Sequence, residues 1–395
     1  MKSRLRFQVM AFTAVRTVLN TMQRMVYPFL AVFARGLGVD LSSLTLALTF
    51  RSVAGAFGPF VGSVADSRGR KFGMLFGLFL FIVGVGVVAI WPTFPAFLVA
   101  LILAMLGKYV FDPSMQAYLG DRVAYQRRGR VLAITEFSWS LSFIIGAPVM
   151  GFLIARRGWQ APFPALALLG VLAFGLLAWM LPTDPARGEG SPGLFRNLGR
   201  VFSYPPAVIG LVMSLLISAG NEVVNVVFGV WMEASFNARI AALGATAVVL
   251  CLAELGGETF TALFTDRLGK ARAITIGLAL NCLAALALPY LGRSQAGAVT
   301  GLFLFYLSFE FTIVSSIPLM TEVFPAARAT LMAGNIASHS LGRAPGALVT
   351  YPLYAYGTAS PGVPDILPSA LAAVGFNVLG WLALSRLRRA IGDQR

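Results

Sequence analysis

Apolar stretches long enough to cross a membrane recur along almost the whole chain. They lie near 7–33, 41–65, 73–91, 94–118, 130–155 and 161–181, then near 207–233, 241–264, 273–292, 296–320, 330–356 and 364–386. A membrane helix needs about 20 apolar residues, so these twelve runs predict a helical bundle with little chain left outside the lipid. Every backbone N–H and C=O in lipid must find an internal partner, which makes such runs helices. Composition agrees: 57% of the 395 residues are hydrophobic and 12% charged, about half the charge of a soluble domain. The net charge of +15 would suit a nucleic-acid binder if it formed one face. It sits instead in short loops between the runs, so no nucleic-acid partner is expected.

Those loops predict topology. Arg68, Arg70 and Lys71 follow span two, and Arg122, Arg127, Arg128 and Arg130 follow span four. Arg187, Arg196 and Arg200 lie in the gap after span six, and Arg267, Lys270 and Arg272 follow span eight. Arg328 follows span ten, and Arg386, Arg388 and Arg389 follow span twelve. All fall on one side, which is then cytoplasmic, with both termini inside a multi-pass protein of a cell membrane, the inner membrane of a bacterium. Arg156 and Arg157 are a local exception. The basic start Met1 to Arg6 runs into an apolar stretch with no small-residue cleavage site, so it reads as span one rather than a signal peptide. The polar gap divides the chain into a first half at 1–181, a linker at 182–206 and a second half at 207–395. Cys251 and Cys282 lie inside apolar runs and the chain has one histidine, so neither a disulfide framework nor a metal site is expected.

The halves repeat. Asp66, Gly69 and Arg70 recur 200 positions later as Asp266, Gly269 and Lys270, Arg128 as Arg328, and Gly146 as Gly346. A sustained offset is what a duplicated six-helix unit leaves. The segment from Gly62 to Lys71 places a glycine where helices approach, an aspartate near a helix start and cations at the lipid–water boundary. It resembles the signature loop of the major facilitator superfamily, G-x-x-x-D-x-x-G-R-[RK], with every fixed position present. Span count, linker and second copy extend the resemblance over the whole chain. It implies an all-α membrane protein of twelve transmembrane helices in two pseudo-symmetric six-helix halves. It also implies that Gly62, Asp66, Arg68, Gly69, Arg70 and Lys71 form a cytoplasmic gate, with Asp266 in a weaker second copy that has Ala262 in place of the first glycine. Glu258 near that copy would form a gating salt bridge. The loop with Asp121, Arg128, Gly129 and Arg130 looks like the family's loop after span four. Gly146 to Gly151, with Pro148, resembles the glycine–proline motif of the drug and metabolite:proton antiporter branch, although Ala147 replaces its usual glycine.

Ionisable groups inside a span are costly and face a cavity or one another. Arg16, Asn20 and Arg24 follow at four-residue intervals on one face of span one, as do Asn335, His339 and Arg343 on span eleven. Arg51 lies in span two, Lys108 and Asp112 in span four, and Glu136 early in span five. Ser218, Asn221, Glu222 and Asn225 lie in span seven, Glu254 and Glu258 in span eight, and Tyr306 and Glu310 in span ten. In the resembled fold spans one, four, seven and ten line the cavity. The resemblance thus implies that Arg16, Arg24, Lys108, Asp112, Glu222 and Glu310 are cavity residues, and with the polar groups of the other spans the candidate substrate set is Arg16, Asn20, Arg24, Arg51, Lys108, Asp112, Asn221, Asn225 and Arg343. It implies a proton-coupling set of Glu222, Glu310, Glu254, Glu136 and His339. The first half then offers cations to an anionic or zwitterionic substrate, and the second half offers carboxylates to protons. The competing reading is structural pairing: Lys108 with Asp112, Arg343 with Glu254 or Glu258, and His339 as a satisfied core residue. Trp139, Phe143, Tyr109, Phe111 and Phe309 form a weaker candidate for an apolar wall.

The expected function is a secondary active transporter working by alternating access as a monomer in the bilayer, exporting a small organic or amphipathic compound in exchange for protons. Uptake of an organic anion, flipping of a lipid or lysolipid, and a non-transporting receptor are the alternatives. No G-x-x-x-x-G-K-[ST] loop and no nucleophile–base pair are present in the sequence, so neither direct ATP coupling, an enzyme activity nor a cofactor is expected.

Overall fold

The structure, a computed structural model, describes residues 3–58, 60, 68–123, 125–182, 194–362 and 364–392; their regular structure is helical. The first part comprises α1 (Ser3–Arg24), α2 (Leu30–Leu37), α3 (Leu41–Ala56), α4 (Arg70–Ile90), α5 (Phe94–Arg122), α6 (Tyr125–Leu141), α7 (Ala147–Arg157) and α8 (Pro162–Met180). The second comprises α9 (Leu194–Phe202), α10 (Pro205–Phe236), α11 (Ile240–Leu268), α12 (Lys270–Leu291), α13 (Gln295–Val323), α14 (Arg328–Ala359) and α15 (Leu367–Gly392).

Among the described residues nine helices are long and apolar enough to cross a membrane, or ten if α2 and α3, bent by 113°, count as one span. The expected twelve is reached only approximately, for physical reasons. α1 carries Arg6, Arg16 and Arg24, α14 carries Arg328, His339 and Arg343 with two prolines, and the described helix of α3 is 16 residues long.

Several expected spans are not single rods. Span one breaks after Arg24 at a turn containing Pro28, whose missing N–H cannot continue the ladder, and resumes as α2. Span five passes from α6 through a π-helical turn, Ser142–Gly146, into α7, where Pro148 occupies the first turn. The expected linker contains the helix α9.

The chain forms two compact units. One comprises Met1–Asp40, Phe57–Gly190 and Ile240–Ala247; the other Leu41–Ala56, Ser191–Arg239 and Val248–Arg395. In the first, α4 packs on α5 so closely that a Cβ on Gly77 would stand 2.5 Å from the Gly107 carbonyl and 3.0 Å from Cβ of Phe111. The second repeats this packing between α12 and α13, where a Cβ on Gly277 would meet Oγ1 of Thr312 at 2.3 Å and the Phe311 ring at 3.1 Å. Gly77 and Gly277, and Phe111 and Phe311, are each 200 positions apart. Rings of Phe33, Phe97, Trp159 and Phe163, with centroids 5.4–6.5 Å apart, close one end of the first unit. Val201, Ala207, Leu211, Ala327, Leu331 and Leu387 belong to a core of the second.

Candidate functional site

In the first unit the polar faces of α1, α5 and α6 meet in one ion network. Arg16 donates to Asp112 through Nε–Oδ1 (2.9 Å) and Nη2–Oδ2 (3.2 Å), and to Glu136 through Nη1–Oε1 (2.9 Å) and Nη2–Oε2 (3.2 Å). Its Nη1 also donates to the Thr135 carbonyl. Lys108, one turn before Asp112, donates to Oδ2 of the same carboxylate. Four expected residues, Arg16, Lys108, Asp112 and Glu136, are thus brought together, with Glu136 open at its outer side. The planar guanidinium matches two carboxylates at once, which a lysine in its place would not do.

Higher on the same face of α1, Asn20 donates to the Ser138 hydroxyl (3.2 Å), and its own buried Oδ1 has no hydrogen-bond partner. Arg24 lies 4.3 Å from the centroid of the Trp139 ring and 3.5 Å from that of Phe143, and donates to the Trp139 carbonyl (3.2 Å). Trp139 and Phe143, expected as an apolar wall, therefore hold a cation by their π faces. Gly146 on the π-helical turn permits this approach: a Cβ there would stand 2.1 Å from Oγ1 of Thr21.

In the second unit α10 and α14 run together with no room between backbones. A Cβ on Gly342 would lie 2.1 Å from the Leu215 carbonyl, and one on Gly346 2.7 Å from the Ala219 carbonyl. Small residues four apart are how membrane helices reach such contact. The closeness pairs polar side chains rung by rung. Ser214 donates to Oδ1 of Asn335 (2.6 Å), Asn335 Nδ2 lies 3.2 Å from His339 Nε2, and Ser218 Oγ lies 2.8 Å from His339 Nδ1. If Asn335 donates to Nε2, the imidazole proton is on Nδ1 and points at Ser218.

One turn further along, Glu222 is 0% exposed. Its Oε2 accepts from Asn225 Nδ2 (3.1 Å), whose Oδ1 accepts from the Tyr306 hydroxyl (2.6 Å). Arg51 Nη2 stands 3.9 Å from Glu222 Oε1, and Arg343 Nε stands 4.0 Å from Oε2. Arg51 on α3 and Arg343 on α14 thus flank one carboxylate on α10. Asn221 is buried on the same helix with Oδ1 lacking a hydrogen-bond partner. Glu254 is buried, Glu310 half-buried and Glu258 exposed.

Gly62 and Asp66 of the signature loop lie outside the described residues. The basic residues after them are held by charge. Arg70 Nε stands 3.8 Å from Asp121 Oδ2, Lys71 Nζ donates to the carbonyls of Ala178 and Leu181 at the end of α8 (2.7 Å each), and Arg68 lies over the Phe72 ring. Lys71 thereby satisfies carbonyls that the helix end leaves unpaired. The second copy has a like arrangement: Lys270 pairs with Glu322, while Asp266 is exposed. Gly69 (φ 100°, ψ 157°) and Gly269 (φ 84°, ψ 136°) share a backbone conformation that side-chain-bearing residues avoid. Among the described residues no group of three or more His, Cys, Asp or Glu side chains is placed to hold a metal.

Residues 13–347 match the family model described as Major Facilitator Superfamily. The chain belongs to that superfamily. It is similar to two Bacillus subtilis (strain 168) proteins, the uncharacterized MFS-type transporters YceJ and YwfA. YceJ is 27% identical over 301 residues, 74% of this chain and 75% of the relative. YwfA is 25% identical over 358 residues, 88% and 85% of the two chains. The quinolone resistance protein NorA of Staphylococcus aureus (strain MSSA476) is 26% identical over 202 residues, 49% of this chain and 52% of NorA. A solved bacterial homolog of the human lysosomal transporter Spinster, inward-facing and unoccupied, matches with a TM-score of 0.81 at 13% identity. That match covers 100% of this chain and 99% of the other, and it establishes the fold. The chain is therefore a multi-pass membrane transporter of the superfamily, whose members carry small molecules, and not an enzyme.

Sequence reasoning missed a second polar knot. Asn281 donates to the Phe305 carbonyl (2.7 Å) and the Ser308 hydroxyl (3.0 Å), and Asn377 donates to Asn281 Oδ1 (2.7 Å). A lone asparagine in an apolar span is the same signal that singled out Asn221.

Proposed function

We propose that this chain works by alternating access and exports a small organic or amphipathic compound in exchange for protons. The observation that carries the reading is Glu222, a carboxylate shut away from water with Arg51 and Arg343 each about 4 Å from it on different helices. Charge buried in a span is retained where it does work. Protonating Glu222 removes the attraction that draws α3 and α14 toward α10, so a proton alters helix packing directly. Glu310, Glu254, Glu136 and His339 complete the proton-coupling set. The substrate meets Arg16, Asn20, Arg24, Arg51, Lys108, Asp112, Asn221, Asn225 and Arg343 as the transport cycle exposes them.

The gate residues Arg68, Gly69, Arg70 and Lys71, with Gly62, Asp66, Asp266 and Glu258, hold the cytoplasmic side closed in one state and part in the other. The halves 1–181 and 207–395, joined at 182–206, are the moving bodies. Both termini are cytoplasmic, in the inner membrane of a bacterium, and the working unit is a monomer. Similarity to a quinolone resistance protein supports export, since moving a compound out of the cell produces resistance to it. A second reading, uptake of an organic anion, is supported by Arg343, whose side chain is 29% exposed beside Glu222.

Reconstitution in liposomes with an internal pH dye tests the proposal. Under an imposed proton gradient, cationic, zwitterionic and anionic amphiphiles are screened for compound-dependent proton flux. Flux with cationic or zwitterionic compounds supports export, flux with anions alone supports the second reading, and compound movement without proton flux contradicts proton coupling.

A further inference from the structure

At helical spacing the sequence of α9 sets Leu194, Phe195, Leu198, Val201 and Phe202 within one arc of positions, and Arg196 and Arg200 four positions apart opposite it. At the end of the helix the structure divides that arc. Val201 is buried in the core that contains Ala207, Leu211, Leu331 and Leu387, whereas the next residue, Phe202, is 64% exposed. Two residues, Ser203 and Tyr204, separate α9 from α10, so the helix sits at the level where a membrane span begins.

The same core fixes which end of the unit this is. Leu387 and Ile391 of α15 and Ala327 before α14 pack into it beside Val201. The cations on those segments, Arg328, Arg386, Arg388 and Arg389, are exposed, as is Arg200. An outward aromatic next to a basic helix face, inside a collar of arginines at the mouth of a span, matches one surface: the boundary between anionic headgroups and acyl chains.

We propose that α9 is a docking element for anionic phospholipid, with Phe202 entering the acyl boundary and Arg196 and Arg200 meeting headgroup phosphates. A soluble acidic protein would use the arginines but would leave Phe202 without an apolar environment.

The test uses the full chain with Cys251 and Cys282 replaced by alanine and a bimane label on Ser203→Cys, in nanodiscs of phosphatidylcholine alone or mixed equally with phosphatidylglycerol. The expected result is strong quenching by a headgroup-level nitroxide lipid, weak quenching by aqueous iodide, and a clear increase of the first with phosphatidylglycerol. Arg196→Gln with Arg200→Gln lowers the preference for the anionic lipid by about five-fold per arginine. Arg196→Lys with Arg200→Lys keeps it, and unchanged thermal unfolding of both pairs shows that the fold is intact. A label that iodide reaches equally in both lipids overturns the proposal. So does a glutamine pair that unfolds like the parent and keeps the full preference.

Discussion

Arg16 and Asp112 form a fork: Nε and Nη2 of one side chain donate to the two carboxylate oxygens of the other, at 2.9 and 3.2 Å. Lys108 donates to the same carboxylate, so one acid meets two cations, of which Arg16 also holds Glu136. Removing one member of a buried pair strands its partner and costs about 3–5 kcal/mol. Asp112→Asn is expected to lower the unfolding midpoint strongly in detergent. Adding Lys108→Met to it is expected to recover part of the loss, because Lys108 loses its carboxylate while Arg16 keeps Glu136. A double variant no more stable than Asp112→Asn would contradict the shared-acid arrangement.

Gly269 has open space where a Cβ would stand, so its backbone angles alone demand glycine. Gly269→Ala is expected to cost about 1–3 kcal/mol through strain. Gly69→Ala should behave alike, since the two positions share the conformation. Circular dichroism melts of both variants check this, and an alanine tolerated at either site without change would refute it.

The contact of α10 with α14 has no slack at Gly342, where the clash is with a backbone carbonyl that cannot swing aside. Gly342→Leu is expected to cost at least about 1–3 kcal/mol by overpacking, and to part the rungs formed by Ser218 with His339 and by Ser214 with Asn335. Gly375, with no atom near its absent Cβ, is the control: Gly375→Ala is expected to leave folding unchanged. Size-exclusion profiles and melts of the two variants separate the cases.

His339 has both ring nitrogens engaged: Nδ1 faces Ser218 across the helix pair, and Nε2 faces Asn335 one turn earlier on α14 itself. His339→Leu leaves Asn335 and Ser218 short of a partner inside the bundle, at a cost of about 1–3 kcal/mol. His339→Gln, which can still meet at least one of them, is expected to lose less. Equal stability of the leucine and glutamine variants would show that the ladder contributes nothing.

The spans were legible because each needs only a run of apolar residues, and the signature loop because Asp66, Gly69 and Arg70 recur at a constant offset. Arg16, Asp112 and Glu222 were legible as residues, since charge in a span stands out in any sequence. Their partners were not. That Arg343 comes within 4.0 Å of Glu222 depends on how α14 lies against α10, which Gly342 and Gly346 decide by allowing backbone contact. Likewise the break at Pro28 and the π-helical turn before Pro148 leave no mark on hydropathy. The helix α9 is hidden because its nine residues are too few for a span and sit in a polar gap.

Proton flux in liposomes carrying the Glu222→Gln variant tests the central claim most directly. The account predicts that a compound which drives proton flux through the parent protein drives none through the variant, while still moving down its own gradient. Undiminished compound-dependent proton flux through folded Glu222→Gln would contradict it.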